Sequence, residues 1–187
     1  SAKYGYNKVC EILIQHGADI NAKDENGRTA LIWGAFKGQK KVCEVLIQYG
    51  ADVNAKNKYG LTVLMHAAVY GQKEVCELLI QHGADVNAKD KWGMTALMHA
   101  ASKEVCEVLI QYGADINAKD DDGWTALMHA AVYGQKEICE YLLSVGANPL
   151  LKNILGNTAY DLAITSEIER LLKVYEKNGS GMNGKME

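Results

Sequence analysis

The sequence predicts an all-α repeat solenoid, a stack of similar units that each supply two helices and a hairpin. A nine-residue segment, Gln-x-Gly-Ala-Asp-(Ile/Val)-Asn-Ala-Lys, begins at Gln15, Gln48, Gln81 and Gln111. The glycines of this segment, together with the glycine of a degenerate fifth copy at Gly146, are 33, 33, 30 and 33 residues apart. The chain also has 18 glycines and a single proline, a composition typical of regularly placed helix ends and not of a flexible linker.

Residues 57–89 illustrate how one unit is built. A first helix begins after Thr62, a natural N-cap, and ends at Gly71. A second helix is predicted over residues 72–82, and the turn-rich residues 85–93 predict an extended hairpin that projects from the stack. Both helices carry an apolar stripe at helical spacing, formed by Leu64, Ala67 and Ala68 in the first and by Val75, Leu78 and Leu79 in the second.

The repeat divides the chain into six units and a tail. The predicted boundaries are a partial N-terminal repeat at 1–23, repeats at 24–56 and 57–89, a shortened repeat at 90–119, a repeat at 120–152, a C-terminal capping repeat at 153–177 and a flexible tail at 178–187. Residues 1–4 align with the last residues of a first helix, so the first unit is expected to leave Val9, Ile12 and Leu13 uncovered.

The repeat at 90–119 passes directly from Ala101 to Ser102 and lacks three residues, including the glycine expected to end its first helix. Either the unit is genuinely short, or residues are missing from the sequence. The second interpretation is favoured, because two antiparallel helices need a stop between them.

These units resemble the ankyrin repeat. The motifs that carry the resemblance are Gly-x-Thr-Ala-Leu-Met-His-Ala-Ala and Gly-Ala-Asp-Val-Asn-Ala, and it extends from about Tyr4 to Lys173. The family's Thr-Pro-Leu-His lacks its proline here, and the histidine stands one place later, at His66, His99 and His129. The resemblance implies an ankyrin-type stack of helix-helix-hairpin units that binds proteins through its inner, concave face and its hairpin tips.

Composition and charge exclude several classes of function. The net charge is -3, with two arginines and scattered lysines, so no nucleic-acid partner is expected. No apolar run approaches the roughly 18 to 20 residues that cross a bilayer, so no membrane association is expected. Five cysteines, an odd number, leave at least one thiol unpaired and favour a reducing, cytoplasmic location.

The repetition itself argues against a catalytic or metal site. The cysteines share one position of the second helix, namely Cys10, Cys43, Cys76, Cys106 and Cys139. Equivalent positions on stacked helices lie about 10 Å apart, beyond the roughly 7 Å between Cα atoms that a disulfide allows. We expect these cysteines to be small apolar core residues, and we predict no enzyme activity, no metal and no cofactor.

The predicted partner-binding residues lie where the units differ, on the inner face of the first helices and at the hairpin tips. They are Arg28, Trp33, Phe36, Tyr59, Leu61, Tyr70, Trp92, Met94, Asp122, Trp124 and Tyr133. The set includes every tryptophan and the one phenylalanine of the chain, a composition typical of protein-interface hot spots. In the alternative interpretation, Trp33 and the histidines pack between adjacent repeats.

The sequence therefore predicts a non-catalytic protein-interaction module with a protein partner. The chain is expected to be a monomer unless its N-terminal edge self-associates. Two alternatives stay open. The chain could be a structural segment of a longer solenoid that stacks through that edge, or a regulatory domain of a larger enzyme.

Overall fold

The computed structural model describes residues 2–182, with side chains for residues 7–177. Within this part of the chain the secondary structure is helical, and pairing between extended segments is limited to one antiparallel bridge that joins Lys56 to Thr62. The helices are α1 Ala2–Gln15, α2 Ala30–Phe36, α3 Lys40–Gln48, α4 Val63–Val69, α5 Lys73–Gln81, α6 Lys103–Gln111, α7 Ala126–Val132, α8 Lys136–Ser144, α9 Ala159–Leu162 and α10 Ser166–Met182. The predicted all-α repeat stack is confirmed.

A threonine fixes the start of the first helix in each complete unit. The Thr62 hydroxyl accepts the backbone N–H of Met65 at 3.2 Å, which satisfies one of the donors left free at the start of α4. Thr29 and Thr125 cap α2 and α7 in the same way. The second helix then packs against the first, as α5 does against α4.

The core is a continuous row of apolar side chains between first and second helices. Four of the cysteines belong to it, with no exposed surface, at Cys43, Cys76, Cys106 and Cys139. Burial raises the pKa of each of these thiols to about 12. They occupy the position expected of small apolar residues.

The recurring Asn-Ala-Lys segment joins each unit to the next. The side chain of Asn54 donates to the carbonyl of Gly83 at 3.0 Å and accepts the backbone N–H of Asp85 at 2.9 Å. The ammonium of Lys56 donates to the carbonyl of Lys89 at 3.1 Å. Because the same bonds recur in neighbouring units, this segment is explained by stacking and not by partner binding.

The repeat at 90–119 departs from the predicted helix pair, because a turn over residues 96–99 replaces its first helix. The connection closes without the missing glycine. The backbone N–H of Ala101 donates to the carbonyl of Ala68 in the preceding unit at 3.2 Å, and Ser102 then caps α6. The genuinely short unit is therefore sterically feasible, and its first segment is too short for two turns of helix.

The capping repeat closes its short first segment in the same way, with a hydrogen bond to the preceding unit. Its first helix, α9, has only four residues, and the N–H of Ile164 donates to the carbonyl of Ala131 at 3.4 Å. The following helix α10 buries Ile168 and Leu172 completely against the last full unit.

Both ends differ from the sequence prediction. A single helix, α1, runs from Ala2 to Gln15 through the point where a break between two helices was expected. Helix α10 continues to Met182, so residues 178–182 of the predicted tail are helical, whereas residues 183–187 lie outside the described residues. Side chains Val9, Ile12 and Leu13 are 52%, 53% and 55% exposed, respectively, in agreement with an uncovered edge.

Candidate protein-binding surface

Hydrogen bonds hold the hairpin tips in a row. The backbone N–H of Lys91 donates to the carbonyl of Tyr59 at 3.1 Å, and that of Asp121 donates to the carbonyl of Trp92 at 3.0 Å. Gly93 permits this close approach, because its φ is +76° and a Cβ atom there would lie 2.8 Å from the Asp121 nitrogen. Each hairpin is a tight turn instead of the extended hairpin predicted from the sequence.

An aspartate or asparagine at the start of each hairpin joins the tip to the first helical segment of the same unit by hydrogen bonds. We call this arrangement the lock. In the repeat at 90–119, Oδ1 of Asp90 accepts the backbone N–H groups of Trp92 and Met94 at 2.9 and 3.0 Å. Its Oδ2 lies 2.9 Å from Nε2 of His99, nine residues further on. The tip and the helical segment behind it therefore share one buried carboxylate.

The same lock occurs with different partners in other units. Asp24 accepts from the indole of Trp33 at 3.3 Å, Asn57 pairs with His66 at 3.1 Å, and Asp120 pairs with His129 at 2.9 Å. The histidines and Trp33 thus support their own units, whereas the sequence alternative placed them between units. A polar residue nine positions upstream of each was the signal that sequence reasoning missed.

The lock is incomplete in the capping repeat. The hairpin residue is Asn153, which is 5% exposed, and the residue nine positions on is Leu162. The Nδ2 atom of Asn153 is buried and has no hydrogen-bond partner among the described residues. An unsatisfied buried donor of this kind destabilises a fold by about 1 to 3 kcal/mol.

Two locks have perturbed ionisation. The pKa of Asp24 is lowered to about 2, chiefly because its carboxylate accepts the backbone N–H of Arg28, with further bonds from Asn26, the Arg28 side chain and Trp33. The pKa of His66 is lowered, first by burial and then by the positive charges of Arg28 and His99. The charged carboxylate of Asp24 therefore stabilises its hairpin at neutral pH, whereas protonation of His66 at low pH destabilises the folded unit.

Near the N-terminal end of this surface, the chain covers aromatic rings with its own cations. The guanidinium of Arg28 lies 4.1 Å from the ring centroid of Trp33, and the ammonium of Lys37 lies 4.6 Å from that of Phe36. Phe36 meets Tyr70 edge to face at 4.4 Å. Trp33 and Phe36 therefore offer less free ring surface to a partner than the sequence suggested.

Further along, the aromatic side chains are more exposed. Tyr59 and Trp92 stack with ring centroids 6.0 Å apart, and they are 52% and 53% exposed. Tyr133 is 71% exposed. Three further predicted tip residues, Leu61, Met94 and Trp124, are half-buried against the core and form the base of the surface.

An open pocket lies between the tips of the repeats at 90–119 and 120–152, with a volume of about 410 Å³. We call it the tryptophan pocket. Its lining consists of Trp92, Met94, Asp120, Asp122, Trp124, His129, Val132 and Tyr133. Five of the predicted binding residues thus meet at one place.

A family model described as ankyrin repeats, in three copies, matches residues 1–90 and 89–153. The chain belongs to the ankyrin repeat family. Ankyrin repeats are generally protein-protein interaction modules, and the family is typically non-catalytic. A search of curated proteins found no match for this ankyrin repeat chain.

Neither a metal-binding group of side chains nor a membrane-spanning helix occurs in the described part of this ankyrin repeat chain. No three histidine, cysteine, aspartate or glutamate side chains are grouped there so that they could hold a metal ion. None of the described helices has both the length and the apolar character needed to cross a bilayer.

Proposed function

We propose that this ankyrin repeat chain is a non-catalytic module that binds a protein partner across the hairpin tips and first-helix ends of residues 57–152. The observation that carries the proposal is the exposure of aromatic rings on one face. Tyr59, Tyr70, Trp92 and Tyr133 are 52%, 50%, 53% and 71% exposed, respectively, and none belongs to the buried core. Exposed aromatic rings grouped on one surface are typical of interface hot spots.

The outer surface, formed by the second helices, has a different character. Lys103 pairs with Glu107 at 3.4 Å and Lys136 with Glu140 at 3.9 Å, each four residues apart on one helix. Exposed pairs of this kind are well solvated and contribute little free energy. This contrast supports the aromatic face as the partner site and provides matched control positions.

The test compares variants of the two surfaces in affinity capture, followed by titration calorimetry with the partner identified. Trp92→Ala and Tyr133→Ala are expected to weaken binding about tenfold or more without a change in melting temperature, because both rings are exposed. Glu77→Ala and Gln81→Ala, on the outer surface, should bind like the wild type. Retained affinity in both aromatic variants would place the interface elsewhere.

Trp124→Ala belongs to the same series but needs its own control. Its ring packs partly against the core and lies 5.2 Å from the ring of His129, so a loss of stability is expected beside a loss of binding. Trp124→Leu, which keeps apolar volume in the base of the surface, separates the two effects.

A second candidate function rests on the N-terminal edge. Val9, Ile12 and Leu13 present apolar surface that is more than half exposed along one face of α1. Such an edge suits stacking against another solenoid segment or a second copy. Size-exclusion chromatography should then show a larger species for the wild type than for the Val9→Lys, Leu13→Lys double variant.

The cysteines support a reducing, cytoplasmic location for this binding module. Five thiols are present, and those of Cys43, Cys76, Cys106 and Cys139 are completely buried. Free buried thiols of this kind are typical of proteins that work where disulfides do not form. Fractionation of cells that produce the chain, with non-reducing peptide mapping of its cysteines, tests this location.

A further inference from the structure

We propose that the tryptophan pocket binds the guanidinium group of an arginine side chain supplied by the partner, with Asp122 as its counter-ion. The inference rests on the proposed function and specifies the chemistry of the partner. It is carried by the juxtaposition of aromatic rings with a carboxylate that the chain does not itself use.

The rings provide the first half of the site. Trp92, Trp124 and Tyr133 line the pocket, and the Trp92 ring is about half exposed. A cation placed over the face of a tryptophan is attracted by the negative potential of the ring, and arginine makes such contacts more often than lysine. A planar guanidinium can also stack on an aromatic ring while its edge donates hydrogen bonds.

The carboxylates provide the second half. Both carboxylate oxygens of Asp120 already have partners. Its Oδ1 accepts the backbone N–H groups of Asp122 and Trp124, and its Oδ2 faces His129. The exposed carboxylate of Asp122 makes no side-chain hydrogen bond or ion pair with the part of the chain that the structure describes. No lysine or arginine occurs among the lining residues, so the one lining side chain that can carry positive charge is His129, which faces Asp120 and not Asp122.

The chain contains an internal precedent for the proposed complex. In the repeat at 24–56, the Arg28 guanidinium lies 4.1 Å from the Trp33 ring centroid, and its Nε lies 2.9 Å from Oδ2 of Asp24. An aromatic face and a carboxylate hold a guanidinium there. Counting by repeats, the positions of Asp24, Arg28 and Trp33 are occupied by Asp120, Trp124 and His129 in the repeat at 120–152. The precedent is therefore one of chemistry and not of position, and the tip of that unit has no arginine or lysine of its own.

The experiment uses the whole chain and N-acetyl-arginine amide as the probe. Indole N–H signals in ¹H–¹⁵N spectra report separately on the three tryptophans. Saturable shifts are expected at Trp92 and Trp124, with none at Trp33, whose ring Arg28 already covers. Added salt should weaken the binding, because the counter-ion is exposed.

Two comparisons test the charge requirement. Asp122→Asn and, separately, replacement of the probe by neutral N-acetyl-citrulline amide should each lower the affinity about fivefold. Asparagine is tolerated at this tip position, since Asn26 occupies the corresponding place in the repeat at 24–56. Glu25→Gln removes a tip carboxylate of that distant repeat and should leave the affinity unchanged. Equal binding of the citrulline probe, or of the arginine probe by Asp122→Asn, overturns the proposal.

The result is separable from the test of the proposed function. If the arginine probe does not bind but Trp92→Ala and Tyr133→Ala still abolish partner binding, the arginine assignment falls and the aromatic face stands. If the probe binds as predicted while both variants keep the partner, the pocket binds arginine, but the proposed interface and the supply of that arginine by the partner both fall.

Discussion

At the scale of single residues, the choice between asparagine and aspartate in the hairpin determines whether Nε2 of the histidine behind it carries a proton. Oδ1 of Asn57 accepts the backbone N–H groups of Tyr59 and Leu61 at 2.9 and 3.1 Å, so the amide Nδ2 faces His66. An amide nitrogen can only donate, and Nε2 of His66 must therefore be unprotonated. His99 faces a carboxylate oxygen of Asp90 instead, so its Nε2 carries a proton.

Asn57→Asp is expected to raise the pKa of His66 by replacing an amide donor with a carboxylate acceptor. In the wild type this pKa lies below the usual 6.5, so the unfolded chain binds the proton first as pH falls. Stability should therefore decline below about pH 6.5 in the wild type, and less so in the variant. Histidine-ring NMR titrations and urea unfolding at two pH values measure both effects.

An unchanged pKa of His66 in Asn57→Asp would mean that the hairpin amide does not determine the protonation state of the ring.

At the scale of elements, the ends of a helix could be predicted from the sequence where they depend on neighbouring residues alone. Thr62 and Gly71 predict the first helix of the repeat at 57–89, which is observed as Val63–Val69. The loss of the first helix in the repeat at 90–119 could not be predicted from the sequence, because the hydrogen bond from Ala101 to Ala68 joins two different units. The helical run over residues 178–182 contradicts its glycine-rich composition for a similar reason, since it continues α10.

Gly83→Val should lower the stability by about 1 to 2 kcal/mol, because Gly83 has a φ of +90° that a β-branched residue resists. A Cβ atom there would meet nothing within 4 Å, so the cost is conformational and not steric. The melting temperature is expected to fall by about 2 to 8 °C.

Gly83→Asn is the matched comparison, because asparagine tolerates positive φ better than valine does. It should melt between the wild type and Gly83→Val. Equal melting temperatures for all three proteins would mean that the backbone at this helix end does not require glycine.

Leu162→His should complete the lock that is missing from the capping repeat. The ring nitrogen would accept from the buried Nδ2 of Asn153, as His66 does from Asn57. The equally short repeat at 90–119 already holds such a ring at His99. Since relief of a buried unsatisfied donor outweighs the loss of a partly buried leucine, we expect a gain of about 1 kcal/mol in the free energy of unfolding.

Leu162→Ala removes the same apolar packing without offering an acceptor, so it should be less stable than the wild type. Chemical denaturation of the three proteins gives the comparison. If the histidine and alanine variants are equally destabilised, no bond to Asn153 has formed.

At the scale of the whole molecule, the sequence predicted which side chains are exposed more reliably than how they contact one another. Repetition separates stacking positions from variable ones, and this predicted the exposed rings of Tyr59, Trp92 and Tyr133. It did not predict that Arg28 covers Trp33, or that Trp124 packs partly against the core. Both outcomes depend on distances between side chains of different elements, which repeat spacing alone does not supply.

Thiol reactivity should measure how stability varies along the stack. Cys10 is only partly buried, whereas Cys76 and Cys106 have no exposed surface and a pKa of about 12. Because interior thiols react only after local opening, we expect native Cys10 to be alkylated at least about tenfold faster than Cys76, a difference of roughly 1.4 kcal/mol. Peptide mass spectrometry after timed labelling gives the rates.

The reference for these rates is the urea-unfolded chain, in which all five cysteines should react alike. Uniform rates in the native chain, or a disulfide found by non-reducing peptide mapping, would contradict this placement of the cysteines.

The short repeat separates two edges of the molecule that can change independently. Tip-to-tip hydrogen bonds of 3.1 and 3.0 Å flank this unit on both sides, so the spacing of the tips does not register the three absent residues. The deficit appears at the opposite edge, as an open groove lined in part by Ala101, Ser102 and Gly134. An insertion or deletion at that edge can therefore change the length of a unit without changing the spacing of the hairpin tips.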